Sequence, residues 1–159
     1  MSNPVTTPSA NLLVDVQDIK RSFRRTYVPD GPDPVIGKFS FILDITAPTE
    51  DIYIPVSIAS GKKPTGFVYQ IEGTVPGLIS TTAISCEGDG IAQITLGTIV
   101  YAKIPKGLTS TFRIRVEMRG KVGKSYTVAI RQINYKRNPS DTRYQKSLQE
   151  IRAKMLKFA

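Results

Sequence analysis

Thr109-Ser110-Thr111-Phe112-Arg113-Ile114-Arg115-Val116-Glu117-Met118 alternates apolar and polar side chains from Phe112 onward without a break. An extended chain sends successive side chains to opposite faces, so Phe112, Ile114, Val116 and Met118 predict a buried face. Arg113, Arg115 and Glu117 predict a wet one. The same period of two runs through Phe39, Phe41, Leu43 and Ile45, and again through Ile52, Ile54, Val56 and Ile58. Weaker runs occupy residues 66–72, 78–85, 90–96, 98–104 and 125–135. The last changes phase between Ile130 and Ile133, as a β-bulge would make it.

Turn chemistry separates these runs at Ala47-Pro48, Ser60 to Pro64, Pro76-Gly77, Gly88-Asp89-Gly90, Pro105-Lys106-Gly107 and Gly120 to Gly123. About eight short strands at such spacing predict an all-β fold, a two-sheet antiparallel β-sandwich over residues 38–135. Immunoglobulin-like and jelly-roll connectivities both fit the pattern.

The flanks read differently. Residues 1–37 form an N-terminal arm and connector: Met1 to Ala10 is proline-containing and uncharged, and Tyr27 to Gly37 holds three prolines and two glycines. Between them, residues 11–25 fit a helix through Leu12, Val16, Ile19 and Phe23, or a strand through Leu12, Val14 and Val16, and both stay open. In residues 136–159, Asn138-Pro139-Ser140-Asp141 offers a helix N-cap. Tyr144, Leu148, Ile151, Met155 and Phe158 then follow a 4-3-4-3 spacing, which predicts a basic amphipathic C-terminal helix.

Composition narrows the chemistry. The 159 residues, 40% hydrophobic and 22% charged, make one globular domain. Histidine and tryptophan are absent and Cys86 is the single cysteine, so His-based catalysis, Cys/His zinc sites and an intrachain disulfide are excluded. No apolar run reaches the ~18 residues of a membrane helix. Met1 to Ala10 shows no secretory-signal pattern. Twenty-two Lys/Arg against 13 Asp/Glu give a net charge of +9, which favours an anionic partner.

Gly123-Lys124-Ser125 ends like a phosphate-binding loop, but Met118 stands where the loop needs glycine and a strand pattern follows it. It reads as a hairpin. Ser60 to Gly66 is a basic turn, and Cys86 to Gly90 lacks the ligand run of a calcium loop. Cys86 has no activating histidine. No catalytic, cofactor-binding or metal-ligating residue is therefore nominated, no small-molecule substrate is expected, and the chain reads as a non-enzyme.

The basic residues carry more information. Arg113 and Arg115 share the wet face, and Arg131, beside inward-facing Ile130, is expected to join them. Lys20, Arg21, Arg24 and Arg25 form a second cluster. Contact with nucleic acid or an acidic subunit is assigned to Arg21, Arg24, Arg25, Arg113, Arg115 and Arg131. Subunit contact is assigned to Tyr144, Leu148, Ile151, Met155 and Phe158 on the C-terminal stripe and to Leu12 and Val16 near the arm.

Residues 98–135, with the Ile104-Pro105-Lys106-Gly107 turn, the alternating strand Thr109 to Met118 and the final strand Tyr126 to Ile130, resemble the closing strands of immunoglobulin-like sandwiches in phage structural proteins and bacterial surface proteins. The resemblance implies a structural role. The expectation is a non-enzymatic component of a virus or phage particle (capsid, decoration or neck), assembled in the host cytoplasm through its terminal arm and helix with copies of itself or other subunits. The alternatives are a β module binding nucleic acid non-specifically through its basic face, and a surface or adhesive domain.

Overall fold

The computed structural model describes residues 12–25, 35–58, 66–73, 80–87, 92–120 and 122–158. Twelve strands are assigned among them: β1 (Leu13–Arg25), β2 (Val35–Thr46), β3 (Ile52–Ile58), β4 (Phe67–Gly73), β5 (Ser80–Glu87), β6 (Ala92–Leu96), β7 (Ile99–Ile104), β8 (Thr109–Gly120), β9 (Ser125–Tyr135), β10 (Gln145–Ser147), β11 (Ile151–Arg152) and β12 (Leu156–Lys157). The fold is all-β. Every pairing is antiparallel, and no helix occurs among the described residues.

Four strands form a sheet in the order β1-β2-β8-β5, and three form another in the order β3-β7-β6. The third is built on β9, which pairs with β4 and with β10, β11 and β12. A bridge between Tyr53 and Lys136 joins β3 to the end of this third sheet.

The alternating sequences of β2 and β8 are in register: Phe39 lies opposite Val116, Phe41 opposite Ile114 and Leu43 opposite Phe112. All six side chains are fully buried, so one face of this sheet is core and the other is wet. Ile52, Ile54, Ile104, Val128, Ile130, Ile133 and Tyr135 from the other two sheets complete the same core. The Phe67 and Phe112 rings meet at 5.5 Å across it. Each large side chain so buried contributes about 1.5–3 kcal/mol relative to exposure.

The residues left open between helix and strand are strand: β1 pairs along nearly all of β2. The regular body thus begins ahead of residue 38, with Leu12 buried in its core. The expected arm at residues 1–10 and most of the proline-rich connector lie outside the described residues.

The expected C-terminal helix is absent. Residues 144–158 run as an extended strap along the second edge of β9: Gln145 opposite Tyr135, Ile151 opposite Ile130 and Leu156 opposite Tyr126. The expected cap makes a turn, in which the Asn138 side-chain oxygen accepts from the Ser140 amide (3.1 Å) and hydroxyl (2.9 Å) and the Asp141 amide donates to the Asn138 carbonyl (3.0 Å). Residues that cap helices also make such turns. What selects the extended form is the row of backbone groups that β9 would otherwise leave unpaired, together with a socket for Phe158.

That socket is built by absence. A Cβ placed on Gly37 or Gly120 would lie 2.4 or 2.5 Å from the Phe158 ring, so both positions need a bare backbone. Tyr126 and Phe23 flank the ring at 4.6 and 5.7 Å between centroids. The Gly123 amide donates to the Phe158 carbonyl (2.5 Å) and the Phe158 amide to the Lys124 carbonyl (2.8 Å), so the Gly-Lys-Ser hairpin holds the strap's end.

Candidate polyanion-binding face

On the wet side of the four-stranded sheet, the register sets Lys20 of β1, Ser40 of β2 and Arg115 of β8 in one row. Asp18, Ile42 and Arg113 form the next on one side, and Ser22, Lys38 and Glu117 the next on the other. Arg24, Ile36 and Arg119 follow beyond them. Adjacent strands lie ~4.8 Å apart and alternate residues along a strand ~6.8 Å, so the charges are spaced a few ångströms from one another.

A concavity of about 620 Å³ opens here, lined by Ile19, Lys20, Arg21, Ser22, Lys38, Ser40, Ile42, Arg113 and Arg115. Five of these residues are cationic, and none of the described lining residues is acidic. Ser40 and Ile42, half-buried, make the floor, while Lys20, Arg113 and Arg115 are exposed at the walls. Lys20 also lies 3.8 Å from Asp18, an exposed pair of the kind that contributes little. Asp15 and Asp44 stand opposite each other toward the other end of the face. The field therefore runs from acidic to basic along the sheet.

Two basic clusters far apart in the chain become one surface because β1 and β8 both pair with β2. Lys38 was missed by sequence reasoning; its position opposite Glu117 follows only from the β2–β8 register. The signal was its alternation with Phe39 and Phe41.

Arg131 does not join this face, contrary to the sequence expectation. It lies on β9, where the register skips it: Val68 pairs with Gln132 and Tyr69 with Ile130. The bulge expected between Ile130 and Ile133 is thus present, and it re-aims the arginine. Arg131 donates to Glu72 of β4 (2.8 Å), with Glu150 3.8 Å away.

Arg152 of β11 completes this clamp, donating through both terminal nitrogens to Glu72 and through Nη2 (2.7 Å) and Nε (3.1 Å) to Glu150. The Arg152 hydrogen bond is the chief cause holding the Glu72 carboxyl below its ordinary value, and the Arg131 charge adds to it. The clamp ties the strap to β4 and β9.

The residues assigned to subunit contact divide. Leu12, Ile151 and Phe158 are buried in the chain's own core, which corrects the expectation that they face a neighbour. Val16, Leu148 and Met155 are exposed. Tyr144 is half-buried, its ring 4.7 Å from the Lys136 ammonium, which also lies 5.5 Å from the Tyr101 ring. Arg21 links the two regions: it lines the concavity and donates to the Met155 carbonyl at 2.7 Å. Arg24 keeps to the wet face, whereas Arg25 falls on the opposite one, facing Val35 in register.

Among the described residues no cluster of three or more carboxylate, cysteine or histidine side chains is placed to hold a metal ion. No described helix is long and apolar enough to cross a membrane. Comparison with protein-family models, with curated proteins and with solved structures found no match to this chain.

Proposed function

We propose that this chain is a non-catalytic β-sandwich module that binds an anionic polymer through the wet face of its four-stranded sheet. One observation carries the reading: Lys20, Lys38, Arg113 and Arg115 from three strands converge on a single concavity with no acidic residue among its described lining. Such a surface attracts polyanions by charge and counterion release.

Jelly-roll connectivity is the form of sandwich that the strand order favours. β2 and β3, β5 and β6, and β7 and β8 each place one strand in either sheet, giving the matched orders β2-β8-β5 and β3-β7-β6.

The test is retention on a sulfated-polysaccharide resin. The full chain elutes at high salt, Arg113→Ala with Arg115→Ala elutes markedly earlier, and equal elution of the two would refute the assignment of the face.

A second reading, a structural subunit of a virus or phage particle, is favoured by one observation. Leu13 and Val16 on β1 and Leu148 and Met155 on the strap stay exposed, and the Arg21–Met155 and Phe23–Phe158 contacts tie these two segments together. Light scattering separates the cases: an oligomer lost in Val16→Lys with Met155→Lys supports subunit contact, and a monomer at high concentration counts against it.

A further inference from the structure

We propose that β1 is a pairing edge for a second copy of this chain: two β1 strands meet antiparallel about a twofold axis at Ile19 and join two four-stranded sheets into one continuous sheet. The inference deepens the subunit reading above, on which it rests, by naming the partner, the strand and the register.

β1 stands at the end of the β1-β2-β8-β5 order and, among the described residues, is assigned no strand partner other than β2. It runs for 13 residues, longer than the ~10 at which most strands stop, and its outer side offers a long row of backbone donors and acceptors. Val14 and Ile19 are half-buried and the other side chains are exposed, Leu13, Val16 and Phe23 among them.

Charged side chains guard such an edge when like meets like. Along β1 they are sorted: Asp15 and Asp18 lie in the first half, Lys20, Arg21 and Arg24 in the second. Parallel pairing of two copies in register sets Asp18 against Asp18 and Lys20 against Lys20. Antiparallel pairing can set acid against base.

The register follows from the faces. Against β2 the ladder passes from Val16 to Asp18 and skips Gln17, so Leu13, Asp15, Asp18, Lys20, Ser22 and Arg24 share the wet face and Val14, Val16, Ile19, Arg21 and Phe23 the other. Pairing across a twofold axis normal to the sheet keeps each face with its like. An axis at Asp18, Lys20 or Arg21 puts two equal charges face to face. One at Val16 or Ser22 does the same for Asp15 with Asp18 or for Lys20 with Arg24. Centred on Ile19, with Gln17 skipped again, the pair sets Asp18 opposite Lys20 twice, Asp15 opposite Ser22, Val14 opposite Phe23 and Val16 opposite Arg21. Lys20 already lies 3.8 Å from Asp18 of its own strand, both exposed, and each gains a second opposite charge from the partner.

The experiment has two arms on the full chain. In the first, light scattering over a concentration series compares the wild type with Asp18→Lys, Lys20→Asp and the double exchange. The expected result is a dimer weakened about tenfold or more in each single variant, where like charges meet twice, and restored to within about threefold of wild type in the double variant. A mixture of the two single variants should restore it as well. The second arm replaces the native thiol (Cys86→Ala) and adds Asp15→Cys, Ser22→Cys or both. Facing residues on antiparallel strands stand about 4.5–5.5 Å apart, within disulfide reach, whereas positions 15 and 22 of one strand are roughly 20 Å apart. Oxidation should link the doubly substituted chain into covalent dimers and leave each singly substituted chain unlinked. A dimer indifferent to the charge exchange, or one that does not cross-link through positions 15 and 22, would overturn the inference and leave the subunit reading in place. A monomer at every concentration would overturn both.

Discussion

Two basic regions of this molecule carry charge of the same sign in different surroundings. Arg115 stands on a sheet face where the described lining of the concavity beside it is cationic or neutral. Arg131 and Arg152 stand on the β9 sheet, where Glu72 and Glu150 take up their hydrogen bonds. The difference lies in geometry: β4 and the strap bring Glu72 and Glu150 within hydrogen-bonding reach of Arg152, whereas β1 and β2 bring Lys20 and Lys38 beside Arg115. A net charge of +9 is therefore a poor guide to the interaction surface until pairing is known. The comparison can be broken by variants that fail to separate stability from binding.

The largest expected effect is on the strap. Phe158→Ala removes a fully buried ring from its glycine socket and should lower stability by about 3–5 kcal/mol in denaturant unfolding. Affinity for a sulfated polysaccharide measured well below the melting temperature should stay unchanged. Next comes Arg113→Ala with Arg115→Ala, which should weaken binding to a sulfated polysaccharide roughly 10- to 100-fold. Should this pair leave binding unchanged, the assignment of the basic face fails.

Gly120→Ala sharpens the account of the socket. Its methyl group meets the Phe158 and Tyr126 rings, and a loss of about 1–3 kcal/mol is expected, partly restored when combined with Phe158→Leu.

The clamp gives the smallest effect, and pH reads it. Glu72 is held below its ordinary pKa in the folded chain, so its contribution is fully present above the ordinary carboxylate value of about 4.3 and is lost as pH falls through the lower folded value. The melting difference between wild type and Glu72→Gln should be flat from about pH 7 to pH 5, vanish in strong acid, and shrink in high salt. A difference growing toward acid would contradict the assignment.

The body of the fold was legible in the sequence because its signal is local. Period two in residues 39–45 and 112–118 reports directly on which side chains face a core, and Ile130 to Ile133 even carried the bulge in their phase change. The strap was illegible for a physical reason. Tyr144, Leu148, Ile151, Met155 and Phe158 satisfy helical spacing, yet the deciding partners, the open edge of β9 and the bare backbones of Gly37 and Gly120, lie in other parts of the chain. Tertiary demand overrode local periodicity. The basic face was half legible: alternation placed Arg113 and Arg115 outward, but only strand pairing could bring Lys20 and Lys38 beside them and send Arg131 to Glu72.

The most direct test of the division between the basic face and the clamp is the salt dependence of binding to a sulfated polysaccharide. The logarithm of the binding constant should fall steeply and linearly with the logarithm of salt concentration. Arg113→Ala with Arg115→Ala should flatten that slope by about two, and Arg131→Ala with Arg152→Ala should leave it unchanged. Equal flattening by both pairs, or a slope near zero in the wild type, would contradict the account.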